Sequence, residues 1–262
     1  MPGYIMHLAA AKLALDKLGF NNFGLSQGVY LGSIIPDAMA RESKRISHFW
    51  DDEVMGLLKR VPNVERFEKQ YGARMDNPTV AAYYAHLVMD NRFVNVYWNN
   101  HFEFFDDNMK PEESYEKVTR VRIKDSGRIF DREVFLSDDY YYGDYTRLLG
   151  YIIKKYNLSE LFFDYEHNRL YDMDVYSGYI NEQLAGKRDF PIKEIEPAET
   201  AELCTKMISN VYKIAVEDNN YRDYPMERPE LKVFVIDELE KLIEEISEIL
   251  KNVLRKPELF ET

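Results

Sequence analysis

From Asn77 to Trp98 the chain reads NPTVAAYYAHLVMDNRFVNVYW, a stretch that opens on a strong helix signal and carries little charge through its middle. Asn followed by Pro supplies a capping side chain, then a residue whose φ is already helical and whose missing N–H is not needed in the first turn. Apolar residues follow on most sides, which predicts a helix at the centre of the protein rather than on its surface. Within it His86 and Asp90 stand four residues apart, and that spacing puts their Cβ atoms on one face about 6 Å apart. An imidazole and a carboxylate buried in an apolar helix must be paired or bound to something, because either alone is costly to desolvate.

Helical periods predict most of the remaining chain as well. The first segment, MPGYIMHLAAAKLALDKLGF, has no basic leading region and carries Lys12, Asp16 and Lys17 at helical intervals, so it is expected to be an amphipathic helix ending at Gly19 rather than a leader peptide. Further helices are expected over 25–35, 64–71, 111–124, 147–156, 175–184 and 197–216, with a last one running from Pro229 past Leu250. Loops are expected over 38–47, 126–144 and 217–229, the last a weak boundary. Strand signals are sparse, so the expected class is all-α. The expected organisation is a single multi-helix domain over 1–262, with a core over 1–160 and a helical C-terminal extension over 161–262. In the last helix Leu239, Leu242, Ile246, Ile249 and Val253 form a seam that could pair two copies of the chain. Two or three heptads fall short of a convincing coiled coil, so docking on the same domain is the main expectation and a homodimer the alternative.

Charge narrows the partners. With 34 Lys+Arg against 46 Asp+Glu the formal charge is −12, a field that repels nucleic acid and anionic lipid surfaces. No apolar run approaches the roughly 18 residues a membrane span needs, and a soluble, cytoplasmic protein is expected. The single Cys204 rules out an internal disulfide and a four-thiolate zinc module. Any metal must be held by His and carboxylate. Adjacent His-Asp, Glu-x-x-His, His-Glu-x-x-His and P-loop patterns are all missing.

His7 shares the character of His86 and Asp90, and two further positions stand beside apolar or aromatic residues. His7 lies among apolar residues of the first helix, Asp37 follows the helix-ending Ile-Ile-Pro of GSIIPDA, and His48 precedes Phe49 and Trp50 in SHFW. Each has a plain alternative as a core histidine, a turn aspartate or a surface histidine. Farther on, Asp138, Asp139 and Asp144 interleave with Tyr140, Tyr141, Tyr142 and Tyr145. Asp144 is most simply a helix N-cap, though with Asp139 it could join a metal site while Tyr141 and Tyr142 stack on a substrate. His101 reads as a helix-end histidine that could also serve as a ligand, and His167 has no supporting pattern.

The ordered set of His7, Gly32 to Asp37, His48 followed by an aromatic, and His86-x-x-x-Asp90 resembles the zinc-dependent phospholipase C family, which is related to the S1/P1 nucleases, over about residues 1–100. The resemblance implies a phospholipase C/P1 nuclease-like helical fold and phosphoester hydrolysis by metal-activated water, on a small phosphoester or a phospholipid. It further implies that His48, His86 and Asp90 hold one zinc, with Asp37 as a further ligand or as the base that activates water, and that His7 joins a second ion bridged by Asp90. Ligation by nitrogen and oxygen alone also admits Mn or Fe. The family's later His-x-x-x-Glu is absent, since Phe105 stands four residues after His101. That gap supports a second reading, a non-catalytic binding or structural protein with a single structural metal.

Overall fold

The structure is a computed structural model that describes residues 3–19, 23–40, 43–164, 168–170, 172–184, 190–217 and 233–255. Helix α1 (Tyr4–Leu18) ends where expected, on a left-handed Gly19 with φ 70° whose N–H returns to the Asp16 and Leu15 carbonyls. Glycine bears that conformation without strain. After it come α2 (Phe23–Ile34), a 3-10 turn over Ile35–Asp37, the short α3 (Lys44–Ser47), and α4 (Val64–Tyr71), which is capped by the Asn63 side chain. Helix α5 (Pro78–Arg92) begins on Asn77, whose side chain accepts from the N–H groups of Thr79 and Val80. It continues through a π turn, Phe93–Trp98, into α6 (Asn99–His101). It is central as the sequence predicts: α2, α4 and α11 (Ile236–Leu254) all pack on it.

The chain is mostly helical, but the all-α expectation is corrected by a three-stranded antiparallel sheet of β1 (Phe102–Phe105), β2 (Arg120–Ile123) and β3 (Ile129–Asp131), in the order β1-β2-β3. Phe104 faces Val121, which in turn faces Phe130. The helix expected over 111–124 fails here for a physical reason. Proline and acidic residues at its start imitate a helix N-terminus, whereas Arg120, Val121, Arg122 and Ile123 alternate with a period of two and Gly127, at φ 67°, turns the chain back. The loop expected over 126–144 holds β3 and α7 (Arg132–Phe135), and α8 (Tyr141–Lys155) starts six residues before the expected 147. A two-stranded ribbon of β4 (Phe163–Asp164) and β5 (Arg169–Leu170), then α9 (Met173–Gln183) and α10 (Pro197–Tyr212), make up the C-terminal half together with α11. His167 and all but the first residue of the expected 217–229 loop lie outside the described residues.

The last helix begins at Ile236, later than Pro229, because residues 233–235 are extended and are held by bonds to other parts of the fold. Leu239, Leu242, Ile243, Ile246 and Leu250 are buried against α1 and α5, which takes up the apolar seam within the chain. Ion pairs from Lys17 on α1 to Glu244 and Glu248 fix its register. Among the described residues no helix is long and apolar enough to cross a membrane.

Candidate metal centre and adjoining cavity

Four elements bring the candidate ligands together. Helix α1 supplies His7, the turn after α2 supplies Asp37, the residue after α3 is His48, and α5 supplies His86 and Asp90. His7, His48, His86 and Asp90 are all buried. The approach of α2 to α5 depends on Gly32, where a Cβ would overlap the Thr79 carbonyl. That closeness lets the neighbouring Ser33 carbonyl accept from His86 Nδ1 at 2.8 Å. Replacing Gly32 with Ala is expected to cost about 1–3 kcal/mol of stability through overpacking and to weaken metal binding by shifting the His86 ring, which thermal melting and metal analysis of the variant will read together.

The loop that carries His48 is fastened with equal care. Ser47 Oγ donates to the Pro36 carbonyl at 2.8 Å, and the Tyr83 hydroxyl donates to the Ser47 carbonyl. Phe49, next along, adopts a left-handed φ of 54°, a conformation that persists for a bulky residue only when packing over-determines it. Its ring is wedged edge-on against Phe67, Tyr71 and Tyr83. His48 Nδ1 lies 3.1 Å from the Lys44 carbonyl.

These bonds decide the tautomers. With Nδ1–H given to a backbone carbonyl in both His48 and His86, each neutral ring presents an unprotonated Nε2. Both nitrogens face carboxylate oxygens: His48 Nε2 is 3.3 Å from Asp90 Oδ2 and 3.7 Å from Asp37 Oδ1, and His86 Nε2 is 3.6 Å from Asp90 Oδ2. His7 Nε2 is 3.3 Å from the other oxygen, Asp90 Oδ1, and its ring stacks on His86 at 3.6 Å. Nε2 of all three histidines and both oxygens of Asp90 lack a hydrogen-bond partner among the described residues. In His48 and His86 the nitrogen that faces the carboxylates is the one not committed to a backbone carbonyl, and a cation placed between these buried groups satisfies both sides.

The spacing fits such a cation. Bonds of about 2.0–2.1 Å in a tetrahedral zinc centre set the ligand atoms about 3.3–3.4 Å apart, close to the separations found. Asp37, His48 and His86 form one group able to hold an ion, and His7, His86 and Asp90 another, with the ligand atoms of each group within 4.8 Å of one another.

Electrostatics keep both carboxylates ionised and pull His7 and His48 in opposite directions. Burial opposes the charge on Asp90, but His86, His48 and His7 around it hold its carboxyl well below the usual range. Burial likewise opposes the charge on Asp37, which Lys44 Nζ at 2.9 Å and the His48 and His86 rings keep low. For His7, burial and the neighbouring His86 lower the pKa, favouring the neutral ring that ligates. For His48, burial is outweighed by Asp37 and Asp90, and the pKa is raised.

Asp37 and Lys44 lie at the wall of a cavity of about 530 Å³. Tyr141 and Tyr142 line it, and so do Trp50, Arg60, Arg132 and Tyr145. The Tyr145 hydroxyl is buried without a hydrogen-bond partner among the described residues, and burial followed by the nearby Tyr141, Asp37 and Asp90 raises its pKa well above the ordinary value. Lys44, Arg60 and Arg132 carry no local sequence signal; they reach the cavity only through the start of α3, the segment before α4 and the start of α7.

Three expected residues are elsewhere. His101 Nε2 pairs with Glu238 on α11 at 2.8 Å and belongs to that interface. Asp139 is exposed. Asp144 is not the N-cap of α8, a place taken by Tyr140; it is buried one turn inside, where Oδ2 accepts from Val233 N–H at 2.6 Å and Phe234 N–H at 3.2 Å. It anchors the entry to α11. Comparison with known proteins finds no matching family model, no matching curated protein and no matching solved structure.

Proposed function

We propose that the chain is a metal-dependent phosphoester hydrolase of the phospholipase C and P1 nuclease type, cleaving a phosphodiester. The observation that carries this reading is the buried group of imidazole nitrogens and carboxylate oxygens that face one another without hydrogen-bond partners among the described residues and that meets a cavity at Asp37. His48, His86, Asp90 Oδ2 and Asp37 would hold one divalent ion, zinc or else manganese or iron, and His7 with Asp90 Oδ1 would contribute to a second. An ion bound there supplies a Lewis acid for a phosphoryl oxygen and acidifies water toward a pKa of about 7.

The side chains around it supply binding and orientation. Lys44 keeps Asp37 ionised, which suits a ligand better than a general base, since a carboxyl of low pKa is a poor proton acceptor. Tyr145 keeps its proton and can donate it as a hydrogen bond to a phosphoryl oxygen. Replacing Tyr145 with Phe is expected to lower kcat about ten- to a hundredfold, the usual range for losing one such donor, with metal content unchanged; an unaltered kcat removes it from the reaction. A site that meets a cavity favours this reading over a closed structural metal site. The acidic chain suits a soluble phosphoester in the cytoplasm better than a bilayer.

Elemental analysis of the tag-free protein tests the proposal, with about one or two ions per chain expected. Hydrolysis of bis(4-nitrophenyl) phosphate should follow metal content. No bound ion after reconstitution with zinc, manganese and iron in turn overturns it.

A further inference from the structure

The cavity has a second charged region besides the Asp37 and Lys44 wall. Arg60 and Arg132 also line it, 72 positions apart in the sequence, and they meet on one ring: the guanidinium carbons lie 6.0 Å and 4.9 Å from the centre of Tyr115. Arg60 also lies over Trp50, at 5.5 Å. Their hydrogen bonds go to backbone, Arg132 to the Tyr115 carbonyl and Arg60 Nε weakly, at 3.4 Å, to the Leu57 carbonyl. Among the described residues neither forms an ion pair with a carboxylate. The other sheet arginines differ, since Arg120 pairs with Asp131 and Arg122 with Glu103.

Two guanidinium groups held against one aromatic ring gain no carboxylate counter-charge from the described residues. Each keeps most of its planar fork of donors free toward the cavity, the geometry that recognises a carboxylate or a phosphate. Trp50, Trp98 and Phe135 give the same chamber an apolar, aromatic wall. Its volume of about 530 Å³ suits a small organic molecule, since such sites run to roughly 300–1,000 Å³.

We infer that Arg60, Arg132 and the Tyr115 ring form an anion-binding subsite, and that the substrate is a small two-ended anion. Its phosphoester lies at the Asp37 end, its middle is apolar or aromatic, and a second acidic group is taken by the arginines. The phosphoester end rests on the function proposed above, whereas the arginine end stands on its own geometry.

The experiment uses a built-in reporter. The chain has two tryptophans, and both line this cavity, so tryptophan emission reads its occupancy. The full-length protein, as purified and with its metal content measured, is titrated with 4-butylbenzenesulfonate, which needs no metal. It should change the emission, and Arg60→Gln and Arg132→Gln should each weaken binding about tenfold, the scale of one charge-assisted hydrogen bond. Arg60→Lys should fall between, and Arg120→Gln, outside the cavity, should match the unaltered chain; melting curves of all four variants confirm that they are folded. No emission change at millimolar probe, or binding that survives both glutamine variants, overturns the subsite.

A second series of arylsulfonates, carrying a phosphonate on tethers of graded length, tests the two-ended substrate. At the matching length it should bind at least about tenfold tighter than either end alone, as expected when the second contact becomes intramolecular. Phosphonates that bind equally with and without the sulfonate overturn the arginine end and leave the phosphoester site standing. Sulfonates that bind through the arginines but gain nothing from any phosphonate overturn the phosphoester end instead.

Discussion

Replacing Asp90 with asparagine is expected to yield a folded protein whose metal affinity falls by more than about a hundredfold, beyond the loss typical of removing a supporting partner rather than a ligand. Phosphoester hydrolysis should fall with it. The two oxygens of Asp90 face the three histidines of the site, Oδ1 toward His7 and Oδ2 toward His48 and His86. Metal content distinguishes a ligand from a plain ion-pair partner. The histidines around Asp90 hold its carboxyl well below the usual range, so its charge also supports the metal-free fold. Chelated Asp90→Asn protein should therefore melt below the chelated unaltered chain, by up to about 3–5 kcal/mol, the cost of removing one partner of a buried pair. Retention of metal by the folded variant refutes the ligand role.

Removing the ion from the unaltered chain should lower Tm by about 8–16 °C without unfolding the protein. An ion present at about a thousand times its Kd contributes about 4 kcal/mol, and each kcal/mol moves Tm by about 2–4 °C in a chain of this size. The fold has ample support beyond the site: α5 packs on α2, α4 and α11 through apolar side chains, and α11 buries its face on α1. Differential scanning calorimetry with and without chelator gives the shift directly. Outright unfolding on chelation would point to the structural metal instead, and no shift at all would mean that no ion is bound in the purified state.

Much of this site can be read from residue order. The cap of α5 at Asn77 and Pro78, the polar pair inside an apolar helix, and the end of α1 at Gly19 are local effects, governed by dihedral preferences and by hydrogen bonds between near neighbours. They hold in the structure because nothing distant overrides them. His7 stands out for a related reason, as a polar residue in an apolar helix, whereas Asp37 and His48 gain their meaning only from the order in which they stand with it.

Local signals misled where two structures compete for one stretch. Over 111–124 the proline and acidic residues suggested a helix, and pairing with Phe102–Phe105 on one side and Ile129–Asp131 on the other made part of it a strand. Backbone hydrogen bonds to another strand are invisible in the strand's own sequence. Asp144 illustrates the same limit, since its identity as an anchor depends on Val233 and Phe234, whose N–H groups meet it across 89 and 90 positions of the chain.

The sequence by itself determined that the chain is mostly helical, that its central helix carries an imidazole and a carboxylate on one face, and that any metal must be held by nitrogen and oxygen. Only the tertiary structure decided which histidine nitrogen faces the carboxylates, that Lys44 bonds to Asp37, that His101 and Asp144 serve the packing of α11, and that Arg60 and Arg132 share one ring in the adjoining cavity. The physical reason is the range of the forces concerned. Capping, turn chemistry and amphipathic period act between residues a few positions apart, whereas desolvation, hydrogen-bond satisfaction and charge pairing depend on what the folded chain brings within a few ångströms.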